Sequence, residues 1–415
     1  MKIALLIGQF FDSNDTFIVT GWTQSLILTL QQSESIELAV MGLTNASSIV
    51  TQEENIRFYK IKYRMSPNPL VRIYQKFTCK MQDEVLINDY IEAIQDFNPD
   101  IVQIFGTENF LCTIIPYLEC KVVVHLQGLL NPYVHAYFPP GISANLFYRK
   151  SFHWFSFLRG MGERQQFKMF QAMAKRELTY FNTIRFVMGR TEWDKTIAES
   201  LAQDVTYFHL AEVLRSDFYT ATQWQPHQRK IMQFISVLSP ATYKGFDLIL
   251  KTADLLKSRK IQFQWIICGS SSKDCVVKTI EKIMKKKYIA NNISLVGKKT
   301  SKELVSLLLD SDIFIHPSYI ENSPNSVCEA QIVGLPVVAT NVGGISSLVN
   351  NDETGILVPP NDPYYLSGVI TSLLSNPSKM QYLGMNARSV AKSRHDREGV
   401  LENIERIYQQ IRQAK

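Results

Sequence analysis

The chain has 415 residues, 46% of them hydrophobic and 20% charged, enough to bury the cores of two or more globular domains. A formal net charge of +6 is too small and diffuse to indicate nucleic acid, while it suits anionic lipid or a phosphorylated substrate. The six cysteines (Cys79, Cys112, Cys120, Cys268, Cys275 and Cys328) form no CxxC pair and no Cys/His cluster, which argues against zinc and against a disulfide framework and fits a reducing cytoplasm.

The N-terminal MKIALLIGQFFDSND has too short an apolar run for a signal peptide and reads as a first β-strand. No stretch reaches the roughly 18–20 apolar residues needed to span a bilayer. Short apolar runs then alternate with helical periodicity, the pattern of parallel sheets with crossover helices. KIALLIG, IELAVMGL, DIVQIF, KVVVHLQ and RFVMG read as buried strands, with helices between them at residues 21–32, 83–97, 162–182 and 190–202. The stretch 224–230, WQPHQRK, is polar, holds a proline and breaks both periods, so it reads as a linker between domains 1–223 and 231–396. A second strand series follows: IMQFISVL, FQWIICG, ISLVG, DIFIHP, PVVAT and GILVP. Thr300 and Glu303 form a capping box after Gly297. Residues 397–415 read as a terminal helix packing back on the first domain. The rhythm predicts an α/β protein of two doubly wound domains.

Residues 312–363 carry the chemistry. A strand ends at His316-Pro317, a loop runs from Ser318 to Asn325, and a helix from there to Val333 stops at Gly334-Leu335-Pro336. In doubly wound sheets the carboxyl ends of the strands are where ligands bind. The amides of Asn325, Ser326 and Val327, at the positive end of the helix dipole, suit a diphosphate. Glu321 and Glu329 flank those amides, and carboxylates beside a phosphate site suit sugar or ribose hydroxyls. Each of the two, read alone, is equally an ordinary loop or helix-start carboxylate.

This stretch resembles the family-4 retaining glycosyltransferases of GT-B fold. Glu321 and Glu329, with seven residues between them in ENSPNSVCEA, match the family's paired glutamates. Gly334-Leu-Pro-Val-Val-Ala339, Gly343-Gly344 and Gly355-Ile-Leu-Val358 fall at the family's spacing, and Lys244-Gly245-Phe246-Asp247 resembles its KGFD. The resemblance implies two Rossmann-like domains facing a central cleft, with Glu321 at the donor sugar and Glu329 on the ribose. It further implies Lys244 on the donor diphosphate, and Asn325, Ser326, Val327 and Gly297 in the donor-binding set. A lysine there neutralises charge on the leaving group, so no metal and no permanently bound cofactor are expected. The co-substrate is a nucleotide diphosphate sugar, of UDP or GDP type. Two departures stand out. Val237 occupies the place of the family's arginine, with Arg190 or Arg215 of the facing domain as candidate substitutes, and Ser347 stands where an acidic residue is common.

In the first domain, His125 ends a buried strand, where the family carries a histidine near the donor sugar; it can bind a hydroxyl or accept a proton near neutral pH. Equally it is a strand-end histidine bonded to backbone. Gly21-Trp22 resembles the family's glycine pair at the first helix and is assigned, with His125, to the acceptor side, while Gly8 lets the preceding loop bend. Residues 133–160 are dense in aromatics with Arg149, Lys150 and Arg159 interleaved. They read either as a loop packed on its own domain or as a contact with an anionic membrane surface at the inner face. The activity expected is transfer of a sugar, with retention, to a hydroxyl acceptor such as a lipid-linked saccharide, in cell-surface polysaccharide or glycolipid assembly. A non-catalytic nucleotide-sugar-binding subunit and a nucleotide-sugar epimerase are the alternatives.

Overall fold

The computed structural model describes residues 1–10, 22–64, 66–79 and 84–414. The chain divides into two compact units, one comprising residues 1–134, 154–213 and 395–415, the other 135–153 and 214–394.

The first unit is built on the strands β1 (Lys2–Phe10), β2 (Glu37–Thr44), β3 (Ile49–Glu53), β4 (Ile56–Lys62), β5 (Ile101–Phe105), β6 (Lys121–His125), β7 (Phe186–Gly189) and β8 (Thr206–His209). They lie in the order β3-β4-β2-β1-β5-β6-β7-β8, all pairs parallel except the β3–β4 hairpin. The sheet is covered on both faces. Along β1, Ile3, Leu5 and Ile7 enter one apolar cluster, and Ala4 and Leu6 enter the other. This alternation is the two-residue strand period with apolar side chains at both phases. The helix Arg397–Gln413 belongs here: Val400, Ile404, Ile407, Tyr408 and Ile411 form one stripe and pack with Ile3, Leu5, Trp22 and Leu26.

The second unit has β9 (Met232–Val237), β10 (Phe263–Cys268), β11 (Ile293–Gly297), β12 (Ile313–His316), β13 (Val337–Thr340) and β14 (Ile356–Val358). Their order is β11-β10-β9-β12-β13-β14 and every pair is parallel. The chain steps outward from β9 through β10 to β11 and then crosses back to place β12 on the other side of β9. The switch point therefore lies at the carboxyl ends of β9 and β12, where such sheets open a crevice.

The boundary between the units differs from the sequence reading, because Trp224 is a core residue. Its indole Nε1 donates to the Ser311 carbonyl at 2.6 Å and its amide to that of Val333 at 2.8 Å. His227 and Arg229 likewise bind the Leu309 and Asp310 carbonyls, so residues 224–230 are fastened to the second unit and the junction falls between Val213 and Leu214. Residues 135–153 also belong to the second unit. Phe147 is fully buried in its core, and the helix Ala144–Ser151 packs on the helix Cys275–Met284. The aromatic segment is thus split. Tyr133, Tyr137 and Phe147 are buried, whereas Phe152, Trp154, Phe155 and Phe157 are exposed.

Candidate active site

At the carboxyl end of β12 the chain enters a loop that is buried although most of it is polar: Ser318, Tyr319, Glu321, Asn322 and Ser323 all lie below a tenth exposed. Such a loop persists only if its polar groups are satisfied. The Tyr319 amide donates to the Tyr243 carbonyl at 2.8 Å. The Tyr319 hydroxyl donates to the Asp247 carboxylate, 3.0 Å from either oxygen, and Asp247 also pairs with Lys251 at 2.8 Å. Thr340 on β13 donates to the Ser318 carbonyl, and the Gly344 amide to that of Glu321 at 3.0 Å. Two glycines of the sequence motifs are explained by close approach. A Cβ on Gly245 (φ +74°) would collide with the Pro317 carbonyl, and one on Gly343 (φ +52°) with the Glu321 carbonyl. Both fit backbone against the loop that presents Glu321.

Glu321 is 5% exposed. Its Oε1 accepts from the Lys244 ammonium, from Ser318 Oγ at 2.8 Å and from His316 Nε2 at 3.2 Å. Burial by itself would raise this carboxyl, but the Lys244 charge and the His316 and Lys244 donors outweigh it and hold it down at about 2. For Lys244 the same contest ends the other way. Burial would lower it, and the Glu321 charge raises it above its ordinary value. The pair is therefore ionised at neutral pH. An ammonium has three N–H donors, so the direction of one toward Glu321 leaves capacity for phosphate oxygens.

Glu329, on the helix Asn325–Val333, is also 5% exposed. Its Oε1 receives Arg215 Nε at 2.9 Å and Nη2 at 2.7 Å. The Arg215 guanidinium carbon lies 4.9 Å from the Phe218 ring centre. Arg215 is therefore part of the second unit, not of a facing domain, and its charge is directed at a carboxylate. At the helix start the Val327 amide is taken by the Pro324 carbonyl at 2.9 Å, so the expected trio of amides reduces to those of Asn325 and Ser326. Asn325 adds a buried Oδ1 with no partner among the described residues. Val237 ends β9 and Gly297 ends β11 on the same sheet edge. A Cβ on Gly297 would meet nothing within 4 Å, so its positive φ of +71° rather than crowding is what favours glycine.

In the first unit, His125 is fully buried at the end of β6. Its ring lies 4.8 Å from that of Trp22, tilted, and 5.6 Å from that of Phe105, stacked. Burial, with Arg190 adding to it against Glu212, lowers its pKa to about 3. The expected proton acceptance near neutrality is thereby corrected: the imidazole stays neutral. Trp22 Nε1 donates to Gln127 Oε1 at 3.1 Å. Arg190 sits over the Trp22 ring at 5.0 Å and donates to the Gln127 carbonyl at 3.2 Å. Gly21 lies outside the described residues. Sequence reasoning passed over Glu108, which accepts from the Gly128 amide at 2.6 Å. Burial, with Glu177 adding to it, raises this carboxyl to about 7 against the Gly128 amide and Arg190. In the second unit sequence reasoning named His316, Ser318 and Asp247 but gave them no role.

The glycine-fastened loop, the buried Lys–Glu pair and the helix start after β12 all fall in the part of the chain that a family model matches. Residues 221–390 match the family model of the glycosyl transferases group 1. The matched stretch lies wholly inside the second unit. The D-inositol 3-phosphate glycosyltransferase of Corynebacterium diphtheriae is 30% identical over 165 residues, 39% of this chain and 38% of that protein. The putative colanic acid biosynthesis glycosyltransferase WcaL of Escherichia coli K12 is 31% identical over 137 residues, 32% of this chain and 33% of the relative. The matched stretch thus spans well under half the length of either. Over the whole chain, Anabaena Alr3699/HepE, solved in complex with UDP-glucose, superposes with a TM-score of 0.68 at 14% identity, covering 99% of this chain and all of the other. The fold is thus α/β with two parallel-sheet Rossmann-like units, as in GT-B glycosyltransferases.

Proposed function

We propose that the chain is a retaining glycosyltransferase that moves a sugar from a nucleotide diphosphate sugar to a hydroxyl acceptor. The observation that carries this reading is the buried Lys244–Glu321 pair at the switch point of a group 1 glycosyl transferase region. Lys244 and the amides of Asn325 and Ser326 stabilise the diphosphate as the anomeric C–O bond breaks. Glu321 orients the donor sugar, Glu329 binds the ribose, and His125 gives the sugar a hydrogen bond. The acceptor oxygen bonds to the anomeric carbon on the face the diphosphate leaves, and its proton passes to the departing phosphate. A fixed ammonium supplies the cation that a divalent ion supplies elsewhere, so the reaction needs no metal. UDP-glucose in the HepE structure and the colanic acid relative favour a UDP-type donor and polysaccharide assembly. A thermal-shift panel of nucleoside diphosphates and their sugars tests the donor, since ligand binding to the native state raises the melting temperature. Transfer in EDTA, with the anomer read by NMR, tests the rest. Inversion, or donor isomerisation without acceptor, ends the proposal.

The acceptor is proposed to be lipid-linked and met at an anionic membrane face. The helix Pro69–Thr78 has no buried residue. Its Leu70 (72% exposed) and Tyr74 (58%) stand out with Trp154 (58%) and Phe155 (65%). Phe77 and Phe157 join the two segments ring to ring at 6.1 Å, and Arg72, Lys76 and Arg159 lie among them. Rings with interleaved cations suit the headgroup boundary. The protein is expected to sediment with anionic vesicles and to be left behind by zwitterionic ones, and Leu70→Asp with Trp154→Asp to release it. Equal sedimentation with both vesicle types, or by the double variant, removes this part of the reading.

A further inference from the structure

His125 is held by a chain of two side chains that neither the motifs nor the proposed reaction uses. Tyr408, on the helix Arg397–Gln413, is fully buried, and its hydroxyl lies 2.5 Å from Gln103 Oε1 on β5. Burial raises this phenol far above its ordinary range, so it keeps its hydrogen. The hydroxyl must then donate, and Gln103 Oε1 is the acceptor it meets. The amide of Gln103, itself fully buried, is thereby oriented with Nε2 toward His125 Nδ1, 3.2 Å away. The opposite amide orientation would place an N–H against the hydroxyl and deprive its hydrogen of that acceptor. A ring nitrogen that accepts from an amide N–H carries no proton, so a neutral imidazole must carry it on the other nitrogen. That nitrogen, Nε2, is buried and has no partner among the described residues. Trp22 and Phe105 fix the plane of the ring.

We infer that Gln103, oriented by the Tyr408 hydroxyl, is a positioning residue that fixes His125 as the Nε2–H tautomer and so as a hydrogen-bond donor. The oxygen it serves is a neutral acceptor on the substrate, a sugar hydroxyl or ring oxygen. That last step rests on the proposed reading of His125 as a substrate contact; the tautomer does not. Through Tyr408, the last helix of the chain sets the polarity of a residue on a central strand.

The test uses full-length protein labelled with ¹⁵N-histidine and long-range ¹H–¹⁵N correlation spectra, with His125 assigned by His125→Gln. Wild-type protein at neutral pH is expected to show His125 protonated on Nε2 alone. Gln103→Glu presents a carboxylate to Nδ1 and is expected to move a proton there. Tyr408→Phe, which removes one oxygen and keeps the packing, is expected to free the amide to turn and divide His125 between both tautomers. Wild-type protonation on Nδ1, or an unchanged His125 spectrum in folded Tyr408→Phe protein, overturns the inference. Sugar transfer by Gln103→Glu is expected to fall roughly ten- to hundredfold, in line with losing one directed donor. A switched tautomer with undiminished transfer would support the relay and overturn the placement of His125 at the substrate.

Discussion

Replacing Lys244 by alanine is expected to lower kcat for sugar transfer by roughly 10²–10³-fold, the scale of losing one preorganised charge on a leaving group. Donor affinity should fall much less, because Glu329 and the helix-start amides remain. The same substitution has a folding cost, because it leaves the Glu321 carboxylate buried with only Ser318 and His316 as donors. Breaking a buried pair from one side costs about 3–5 kcal/mol; the two remaining donors place the expectation at the lower end. The pH dependence identifies the cause. In the native protein Glu321 is held at about 2, below its ordinary 4.5. Its contribution is therefore fully present above the ordinary value and is lost as pH falls through the folded one. Without Lys244 burial prevails, the carboxyl rises, and the folded variant binds a proton that the unfolded chain lacks. The stability gap between the two proteins, read by urea denaturation, should thus be larger at about pH 7 than at about pH 4. A gap that does not change with pH, together with normal turnover, would remove Lys244 and Glu321 from the chemistry.

What the sequence disclosed follows from where the information resides. All six strands of the second unit and five of the first are legible because they give short, near-continuous apolar runs, which in β5, β7, β12 and β13 are buried throughout. The strands β3, β4 and β8 escaped because none offers a continuous apolar run. Ile49–Glu53 is mostly exposed, and Ile56–Lys62 interleaves charges with apolar residues. The helix Pro69–Thr78 escaped because its apolar side chains meet no core. Trp224 was read with a polar linker because Gln225, Pro226 and His227 dominate the local composition, while the contacts that bury its ring lie far along the chain. The site divides in the same way. Lys244, Glu321 and Glu329 belong to local motifs with a recognisable spacing. The groups that tune them do not: Asp247 reaches Tyr319 across 72 residues and Arg215 reaches Glu329 across 114, and no periodicity links such positions. His316 was visible as a strand end, yet only the fold of the loop turns Glu321 back onto it.

Replacing Glu329 by alanine is expected to raise the nucleotide dissociation constant by about ten- to hundredfold while kcat at saturating donor changes little, since hydrogen bonds to a charged group are worth about 1.5–3 kcal/mol. Arg215 complicates the reading, because the substitution also removes that guanidinium's carboxylate. Two roles for Glu329 are therefore in competition, a ligand for ribose hydroxyls and a structural partner for Arg215, and affinity alone does not separate them. Discrimination between nucleotides does. If the carboxylate binds the ribose, wild-type protein prefers a ribonucleoside diphosphate to its 2′,3′-dideoxy counterpart, and Glu329→Ala binds the two alike. A double-mutant cycle then isolates the Arg215 contribution. Arg215→Ala should cost stability by leaving Glu329 buried without its cation, and should keep the ribose preference. In the double variant the stability loss should be less than the sum of the two single losses, as for any pair whose halves are costly only when separated. Wild-type protein that binds the dideoxy nucleotide equally well would confine Glu329 to holding Arg215, and the donor's ribose would then have to be sought elsewhere along the carboxyl edge of the sheet.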